Sequence, residues 1–391
     1  MDKYVRERKA EKPILAICYD FDKTLTPTDM QAQGLIQKLD IDVREFWERS
    51  NSEAENNNMD INLSWMKNIL NLADGKIVRS RETFVDLGKK IRLYNGVDTW
   101  FERINRYGED CGLLVEHYII SSGLKEMIEG TSISNYFKEI YASSYYYEKG
   151  VPKWVAQDIN STNKTQFLFR IEKGVLNINS DEVNERFSDE ELRVPFSNMV
   201  YIGDSATDIP CMKLVHGRGG YSIGVYDEEE NNKDKVYNMV RDARIDFFAP
   251  ANYSENSQLE QYLKTIIDKV AISEKLLLFS KKCKDEVVSV DQGKEEYVIR
   301  IDTLVILLDE SPNFYSTHRI IGALVENYDY ITDEQAEKIV HIALNNNQVN
   351  YIIRDSDISE FLIKILQEKN LSDQSQRDEL LKLINEDYMS V

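Results

Sequence analysis

The chain has 391 residues, more than one ordinary domain, and this length predicts two or three compact units. A hydrophobic content of 42% can fill buried cores, whereas a formal charge of −20, from 48 basic and 68 acidic residues, argues against nucleic acid as a partner. The N-terminus lacks the apolar segment of a secretory signal, and no apolar run is long enough to cross a membrane. The four scattered cysteines favour a reducing, cytoplasmic setting.

The first predicted element is a buried strand, "PILAICYDF", which carries two carboxylates at its end, Asp20 and Asp22. Side chains two positions apart in a strand point to the same side, so these two carboxylates are expected to face together. Like charges at such a distance repel each other, and partial burial adds a desolvation cost. The pair therefore needs a bound cation, a shared proton or access to solvent.

A helical block follows over residues 28–110. Apolar residues recur at helical spacing in its segments, and breaks rich in Asn or Gly separate them. The predicted helices are "DVREFWERS", "INLSWMKNILNLAD", "SRETFVDLGKKI" and "VDTWFERINRYGEDCG".

Beyond the block, strands alternate with helices, which predicts a mostly parallel sheet. The predicted strands are "LLVEHYIISSG", "EIYASSYYY", "MVYIGDS" and "YSIGVY". Ligands bind beyond the carboxyl ends of strands in such a sheet, where Asp20, Ser121 and Asp204 all fall. Asp208 follows at the start of a predicted helix, and Lys164 heads the amphipathic segment "NKTQFLFRIEKG".

These residue types fit phosphoryl chemistry. Carboxylates are hard oxygen ligands of the kind Mg²⁺ prefers, and a carboxylate can act as a nucleophile towards phosphorus once a cation neutralises the approaching charges. Taken singly, Asp20 and Asp22 could be turn residues and Asp208 a helix N-cap. Their joint position after apolar strands favours the functional interpretation.

Four segments, "DFDKT", "IISSG", the lysine of "NKTQ" and "GDSATD", resemble in this order the motifs of the haloacid dehalogenase-type (HAD) hydrolase superfamily. The chain is most similar to phosphatases whose helical cap is inserted after the first motif, and the resemblance covers about residues 13–250. It implies an α/β fold with a Rossmann-like, mostly parallel sheet and an inserted helical cap. It also implies hydrolysis of a small phosphomonoester with Mg²⁺ as cofactor.

The resemblance further implies that Asp20 is the nucleophile and that Asp22 is the general acid and then the base. Magnesium would be held by Asp20, the Asp22 main-chain carbonyl and Asp204, with Asp208 as a direct or indirect ligand. The phosphoryl group would be bound by Ser121, Ser122, Gly123 and Lys164, although Lys149 or Lys153 could supply the ammonium instead. A phosphomonoester leaving oxygen benefits from a nearby acid such as Asp22, which favours a phosphatase over a dehalogenase. A phosphotransferase would use the same residues.

The predicted domains are a catalytic core at 1–27 and 111–250, a cap at 28–110 and a mainly helical domain at 251–391. The cap's hinges are predicted at "TLTPTD" and "GEDCG". Specificity residues should lie on the cap surface that faces the site, with Trp47, Trp65, Arg79 and Arg81 as candidates. No group of candidate catalytic residues is recognisable in the sequence of the last domain. Its segment "YVIRIDTLVILLDE" could be strand or helix. It is either a stabilising appendage or a docking module for a protein partner, in which case the chain could be a binding or regulatory protein.

Overall fold

The computed structural model describes residues 5–229, 233–291 and 296–385. The chain divides into two compact units, Met1–Leu277 and Leu278–Val391. The first unit contains a seven-stranded sheet in the order β4-β3-β2-β1-β5-β6-β7. Neighbouring strands are parallel except for the antiparallel pair β3–β4. The strands are β1 (Ile14–Tyr19), β2 (Leu114–Leu124), β3 (Phe137–Glu148), β4 (Val151–Gln157), β5 (Met199–Gly203), β6 (Tyr221–Tyr226) and β7 (Phe247–Pro250).

Helices surround this sheet, and the predicted α/β class with a mostly parallel sheet is confirmed. The helices that begin in the first unit are α1 (Leu35–Lys38), α2 (Val43–Asn56), α3 (Ile61–Leu72), α4 (Arg81–Gly88), α5 (Val97–Asp110), α6 (Lys125–Glu129), α7 (Thr165–Lys173), α8 (Ile209–Gly217), α9 (Asp234–Arg241) and α10 (Gln258–Asp291). Within the described ranges, none of the helices combines the length and the apolar character needed to cross a membrane.

The central strand β1 is buried along its whole length, as its continuous apolar run predicts. Because successive side chains alternate between the two faces, its residues divide between two cores. Leu15, Ile17 and Tyr19 belong to a core shared with α2–α5 and α10, whereas Ile14 and Cys18 belong to one shared with α7–α9. Both faces of the sheet are therefore covered.

Helix α5 packs on the sheet through a buried polar network. The Trp100 indole donates a hydrogen bond to the Tyr19 hydroxyl (2.9 Å). That hydroxyl lies 3.1 Å from His117 Nδ1, and His117 Nε2 lies 2.8 Å from Asn105 Oδ1. With its proton on Nε2, the neutral imidazole satisfies both contacts, accepting from Tyr19 and donating to Asn105.

The helical insertion is therefore shorter than the predicted cap of 28–110. The lobe consists of α1–α4, and the chain rejoins the sheet near Tyr94, whose N–H donates to the Leu25 carbonyl (2.9 Å). The predicted second hinge, residues 108–112, lies instead at the end of α5, where Gly108 packs against Val115. We correct the prediction accordingly: "GEDCG" joins α5 to β2 and is not a hinge of the lobe.

The second unit is helical, as predicted, and the ambiguous segment "YVIRIDTLVILLDE" is helix α11. Its apolar core includes Leu324, Ile339 and Phe361. The helices of this unit are α11 (Glu296–Asp309), α12 (Phe314–Glu326), α13 (Asp333–Asn345), α14 (Asn347–Tyr351), α15 (Ser356–Glu368) and α16 (Gln374–Asn385). The division falls at Leu277–Leu278, inside α10, rather than at the predicted 250–251. Residues 251–277 bury Tyr253, Leu263 and Ile267 in the core of the first unit.

Candidate active site

Three neighbouring strands, β2, β1 and β5, deliver polar side chains to one edge of the sheet. A cavity of about 290 Å³ lies there. Five of the predicted site residues line it, and Gly123, Lys164 and Asp208 are buried beside them. The lining residues are Asp20, Asp22, Lys23, Asp29, Gln31, Trp47, Ile61, Asn62, Trp65, Ser121, Ser122, Asp204, Ser205, Thr207 and Lys235.

A tight turn after β1 brings both of its carboxylates to the cavity. The Asp20 N–H donates to the Ile202 carbonyl of β5 (3.0 Å), which fixes the end of the strand. The chain then reverses through Lys23, whose φ is +57°, while the Leu25 N–H donates to the Phe21 carbonyl (2.9 Å). Asp22 Oδ1 accepts a hydrogen bond from the Met30 N–H (2.6 Å), which holds this carboxyl group in place.

The end of β2 forms a close-packed bend next to Asp22. Ser121 Oγ accepts a hydrogen bond from the Gly123 N–H (3.1 Å), so its own hydroxyl hydrogen can point to a ligand. A Cβ atom on Gly123 would lie 2.1 Å from Met30 Cε and 2.9 Å from Asp22 Oδ2. A side chain at this position would have to displace the end of the Met30 side chain and would crowd the Asp22 carboxyl group.

Lys164 is fully buried and lies between two carboxylates. Its Nζ is 2.8 Å from Asp208 Oδ1 and 3.2 Å from Asp20 Oδ1. The contact with Asp20 is an ion pair without hydrogen-bond geometry, and Asp20 Oδ1 has no hydrogen-bond partner in the described part of the chain. The alternative lysines, Lys149 and Lys153, are exposed on the β3–β4 hairpin and do not line the cavity.

Asp208 differs from the other carboxylates because protein donors surround it. Its Oδ1 accepts from Lys164 and from the Tyr201 hydroxyl (2.9 Å), and its Oδ2 accepts from the Ser205 hydroxyl (3.1 Å) and N–H (3.3 Å). Asp204 accepts one long hydrogen bond within the described ranges, from the Thr24 hydroxyl (3.4 Å). One oxygen from each of Asp20, Asp204 and Asp208 lies within 4.8 Å of the others.

The cluster is short of positive charge. Burial, reinforced by the charge of Asp208 and opposed by Lys164, raises the pKa of Asp20 to about 6. Burial likewise raises the pKa of Asp204, reinforced by Asp208 and Asp20. Burial lowers the pKa of Lys164, but Asp20 and Asp208 outweigh this effect and raise it overall. A hard divalent cation such as Mg²⁺ fits this set of oxygen atoms, because it would relieve the repulsion among them.

Asp22 lies outside this cluster and has a different environment. Desolvation raises the pKa of its carboxyl group, and the nearby charges of Asp29 and Asp20 raise it further. Hydrogen bonding from Met30 opposes the shift without cancelling it. The neutral acid is therefore favoured at Asp22, the form that can donate a proton.

The helical lobe supplies the opposite wall of the cavity through α2 and α3. Trp47 and Trp65, two of the predicted specificity candidates, both line it. Arg79 and Arg81 do not: Arg79 pairs with Asp74, and Arg81 pairs with Glu129.

Several residues of the site were missed from the sequence. Thr24 and Ser205 stand inside the quoted motifs and contact Asp204 and Asp208, respectively. Gln31, Asn62 and Lys235 come from three other segments, and no local pattern marks them.

Comparison with known proteins gives the family of the chain. The sequence model described as haloacid dehalogenase-like hydrolase matches residues 17–213, half of the chain. The protein therefore belongs to the haloacid dehalogenase-like hydrolase family. An uncharacterized protein of Borreliella burgdorferi is 27% identical over 292 residues, which cover 66% of this chain and 98% of that protein.

Among solved structures, the chain is similar to a probable phosphoserine phosphatase from Vibrio cholerae, with 12% identity, a TM-score of 0.42, and coverage of 67% of this chain and 68% of that one. It is also similar to a HAD family hydrolase from Salmonella enterica serovar Typhi, with 16% identity, a TM-score of 0.38, and coverage of 57% and 67%. A phosphoserine phosphatase captured as a phospho-aspartyl intermediate analogue is 16% identical, with a TM-score of 0.39 and coverage of 65% and 99%.

Proposed function

We propose that this hydrolase is a magnesium-dependent phosphatase that acts on a small phosphomonoester through an aspartyl-phosphate on Asp20. One observation carries the proposal: a carboxylate nucleophile, a separate carboxyl group with a raised pKa and a serine hydroxyl line one cavity at the ends of adjacent strands. The buried Lys164 ammonium lies 3.2 Å from the nucleophile.

In the first step, an oxygen atom of Asp20 attacks phosphorus, and the bond from phosphorus to the leaving oxygen breaks. Asp22 donates its proton to that oxygen, so that the product leaves as a neutral alcohol. In the second step, water attacks the phosphorus of the aspartyl-phosphate while Asp22 takes up a proton from it. The bond between phosphorus and Asp20 then breaks, which releases inorganic phosphate and restores the carboxylate.

The phosphoryl oxygens would be bound by the end of β2 and by Lys164. Ser121 can donate its hydroxyl hydrogen because the Gly123 N–H satisfies its oxygen. Ser122, half-buried in the lining, and the Gly123 main chain complete this side of the site. The Lys164 ammonium, held by Asp208, faces the same carboxylate that attacks phosphorus.

Asp20, Asp204 and the Asp22 main-chain carbonyl would hold magnesium, and Asp208 would support the site by positioning Lys164. When bound, the cation neutralises charge on the phosphoryl oxygens. The lobe α1–α4 acts as a cap that limits water at the site and contacts the leaving group. The scattered, unpaired cysteines favour the cytosol as the compartment for this activity.

The test is release of inorganic phosphate from 4-nitrophenyl phosphate with magnesium present, compared between the parent and Asp20→Asn. The amide is a poor nucleophile, so turnover should be abolished while the fold is kept. Asp86→Asn is the matched control, because Asp86 is exposed on α4 and does not line the cavity. Full activity of Asp20→Asn would contradict the mechanism. Transfer of the phosphoryl group to added glycerol in place of phosphate release would identify a phosphotransferase instead.

A further inference from the structure

The wall that the lobe contributes to the cavity is apolar. The lining residues from α2 and α3 are Trp47, Ile61, Asn62 and Trp65. The two indole rings meet edge to face, with centroids 6.4 Å apart and an interplanar angle of 71°. Among the described residues, neither helix places a charged side chain in the lining. A leaving group that extends from the phosphoryl site meets this wall.

The single amide in the wall is already hydrogen-bonded within the protein. Asn62 Nδ2 donates to the Ile159 carbonyl (2.8 Å), and Asn62 Oδ1 accepts from the Trp65 indole N–H (3.1 Å). These bonds fix the Trp65 ring and join the start of α3 to the loop that precedes Lys164. The wall is therefore formed before a ligand binds.

Gln31 is a polar group of the lining that is available to a leaving group. Its side chain is only 3% exposed and lines the cavity, yet it makes no hydrogen bond in the part of the chain that the structure describes. Because this amide lines the cavity and is not used by the protein, it can donate to and accept from a bound leaving group. Gln31 also follows Met30 directly, whose N–H holds the Asp22 carboxyl group. Gln31 and Asp22 line the same cavity.

The cations of the lining, Lys23 and Lys235, do not belong to the wall formed by α2 and α3. Lys23 pairs with Asp29 at 2.9 Å. A carboxylate packed against the two tryptophans would lose part of its water shell, and the described residues of α2 and α3 place no cation beside it.

From these observations, and on the basis of the proposed phosphatase function, we infer the substrate class. The substrate is a phosphomonoester whose leaving group is uncharged, with an aromatic or apolar body that packs against Trp47 and Trp65. It carries a neutral hydrogen-bonding group for Gln31. Phosphorylated amino acids and sugar acids are excluded from this class by their charge.

The test compares kcat/KM for 4-(2-hydroxyethyl)phenyl phosphate and 4-(carboxymethyl)phenyl phosphate. These esters have similar leaving phenols and similar length, but only the second is charged at its far end. The parent should prefer the neutral ester by roughly tenfold or more. Trp47→Ala and Gln31→Met should each lower kcat/KM for the neutral ester by roughly tenfold. For acetyl phosphate, which has almost no leaving group to bind, both variants should lower kcat/KM clearly less than for the neutral aryl ester, so that the ratio of the two kcat/KM values falls.

Trp154→Ala is the matched control, because Trp154 is 75% exposed on β4 and lies outside the cavity. Melting temperatures show whether each variant is folded. If one of Trp47→Ala and Gln31→Met does not fold, the other alone tests the inference. Equal kcat/KM of the parent for the two aryl esters, with acetyl phosphate hydrolysed, would overturn the inference alone. Hydrolysis by the parent of neither aryl ester nor of acetyl phosphate would overturn the proposed function and the inference with it.

Discussion

Lys164→Met offers a direct test of the charge balance at the site. The substitution keeps an unbranched side chain but removes an ammonium that is fully buried between Asp208 and Asp20, at 2.8 and 3.2 Å. The two carboxylates would then face each other without compensation. Removal of one partner from a buried ion pair costs roughly 3–5 kcal/mol. At about 2–4 °C for each kcal/mol, the melting temperature of the first unit should fall by roughly 6–20 °C.

The assay is urea unfolding of the full chain, followed by tryptophan fluorescence, in the absence and presence of magnesium. Lys67→Met is the matched control: Lys67 also pairs with a carboxylate, that of Glu53, but it is exposed, so its loss should cost no more than about 1 kcal/mol. Magnesium should stabilise Lys164→Met more than the parent, because the cation supplies part of the missing positive charge. A Lys164→Met protein that unfolds within about 1 kcal/mol of the parent would refute this account of the site.

The remaining predictions concern the metal, the nucleophile and acid stability. Asp22→Asn should lower turnover about 10²–10⁴-fold at a nearly unchanged magnesium requirement, whereas Asp204→Asn should raise that requirement steeply; identical magnesium titrations would contradict this division. Beryllium fluoride, a mimic of the phosphoryl group on Asp20, should inhibit only with magnesium present, and inhibition without it would count against the mechanism. Burial lowers the pKa of His117 from 6.5 to about 3, so its contribution to stability is present above pH 6.5 and is lost as the pH falls, when the unfolded chain binds the proton first. Between about pH 7.5 and pH 5 the parent should lose about 2 kcal/mol more stability in urea unfolding than His117→Gln, and equal losses would refute this.

The sheet could be predicted where its strands are long and buried. The runs of β1, β2, β3, β5 and β6 are strongly apolar because helices cover both faces of a parallel sheet. Two strands were missed for physical reasons. β4 is a partly exposed edge strand that contains Pro152, and β7 has only four residues, Phe247–Pro250, which is too short for a periodic signal.

The limits of the lobe could not be read from helical periodicity. α5 has the same apolar spacing as the lobe helices, but Trp100, Phe101 and Ile104 bury this face against the sheet. Helical periodicity shows that a helix has an apolar face, but it does not show which element packs against that face.

Site residues at strand ends were predictable because parallel strands bring their carboxyl ends to one edge of the sheet. Gln31 and Asn62 line the cavity because of the way the chain folds back after β1, and no local sequence pattern predicts that tertiary arrangement.

The two carboxylates at the end of β1 have different environments, and this difference supports different roles for them in the proposed reaction. The Met30 N–H holds Asp22 apart from the cluster, where desolvation favours its neutral form and fits it to donate a proton. Asp20 faces Lys164, which Asp208 holds through a 2.8 Å contact. Because protein donors surround Asp208, the oxygens left for a cation are mainly those of Asp20 and Asp204. Burial and the charge of neighbouring carboxylates raise the pKa of these two carboxyl groups, and a bound magnesium ion would relieve both effects and attract the phosphoryl group.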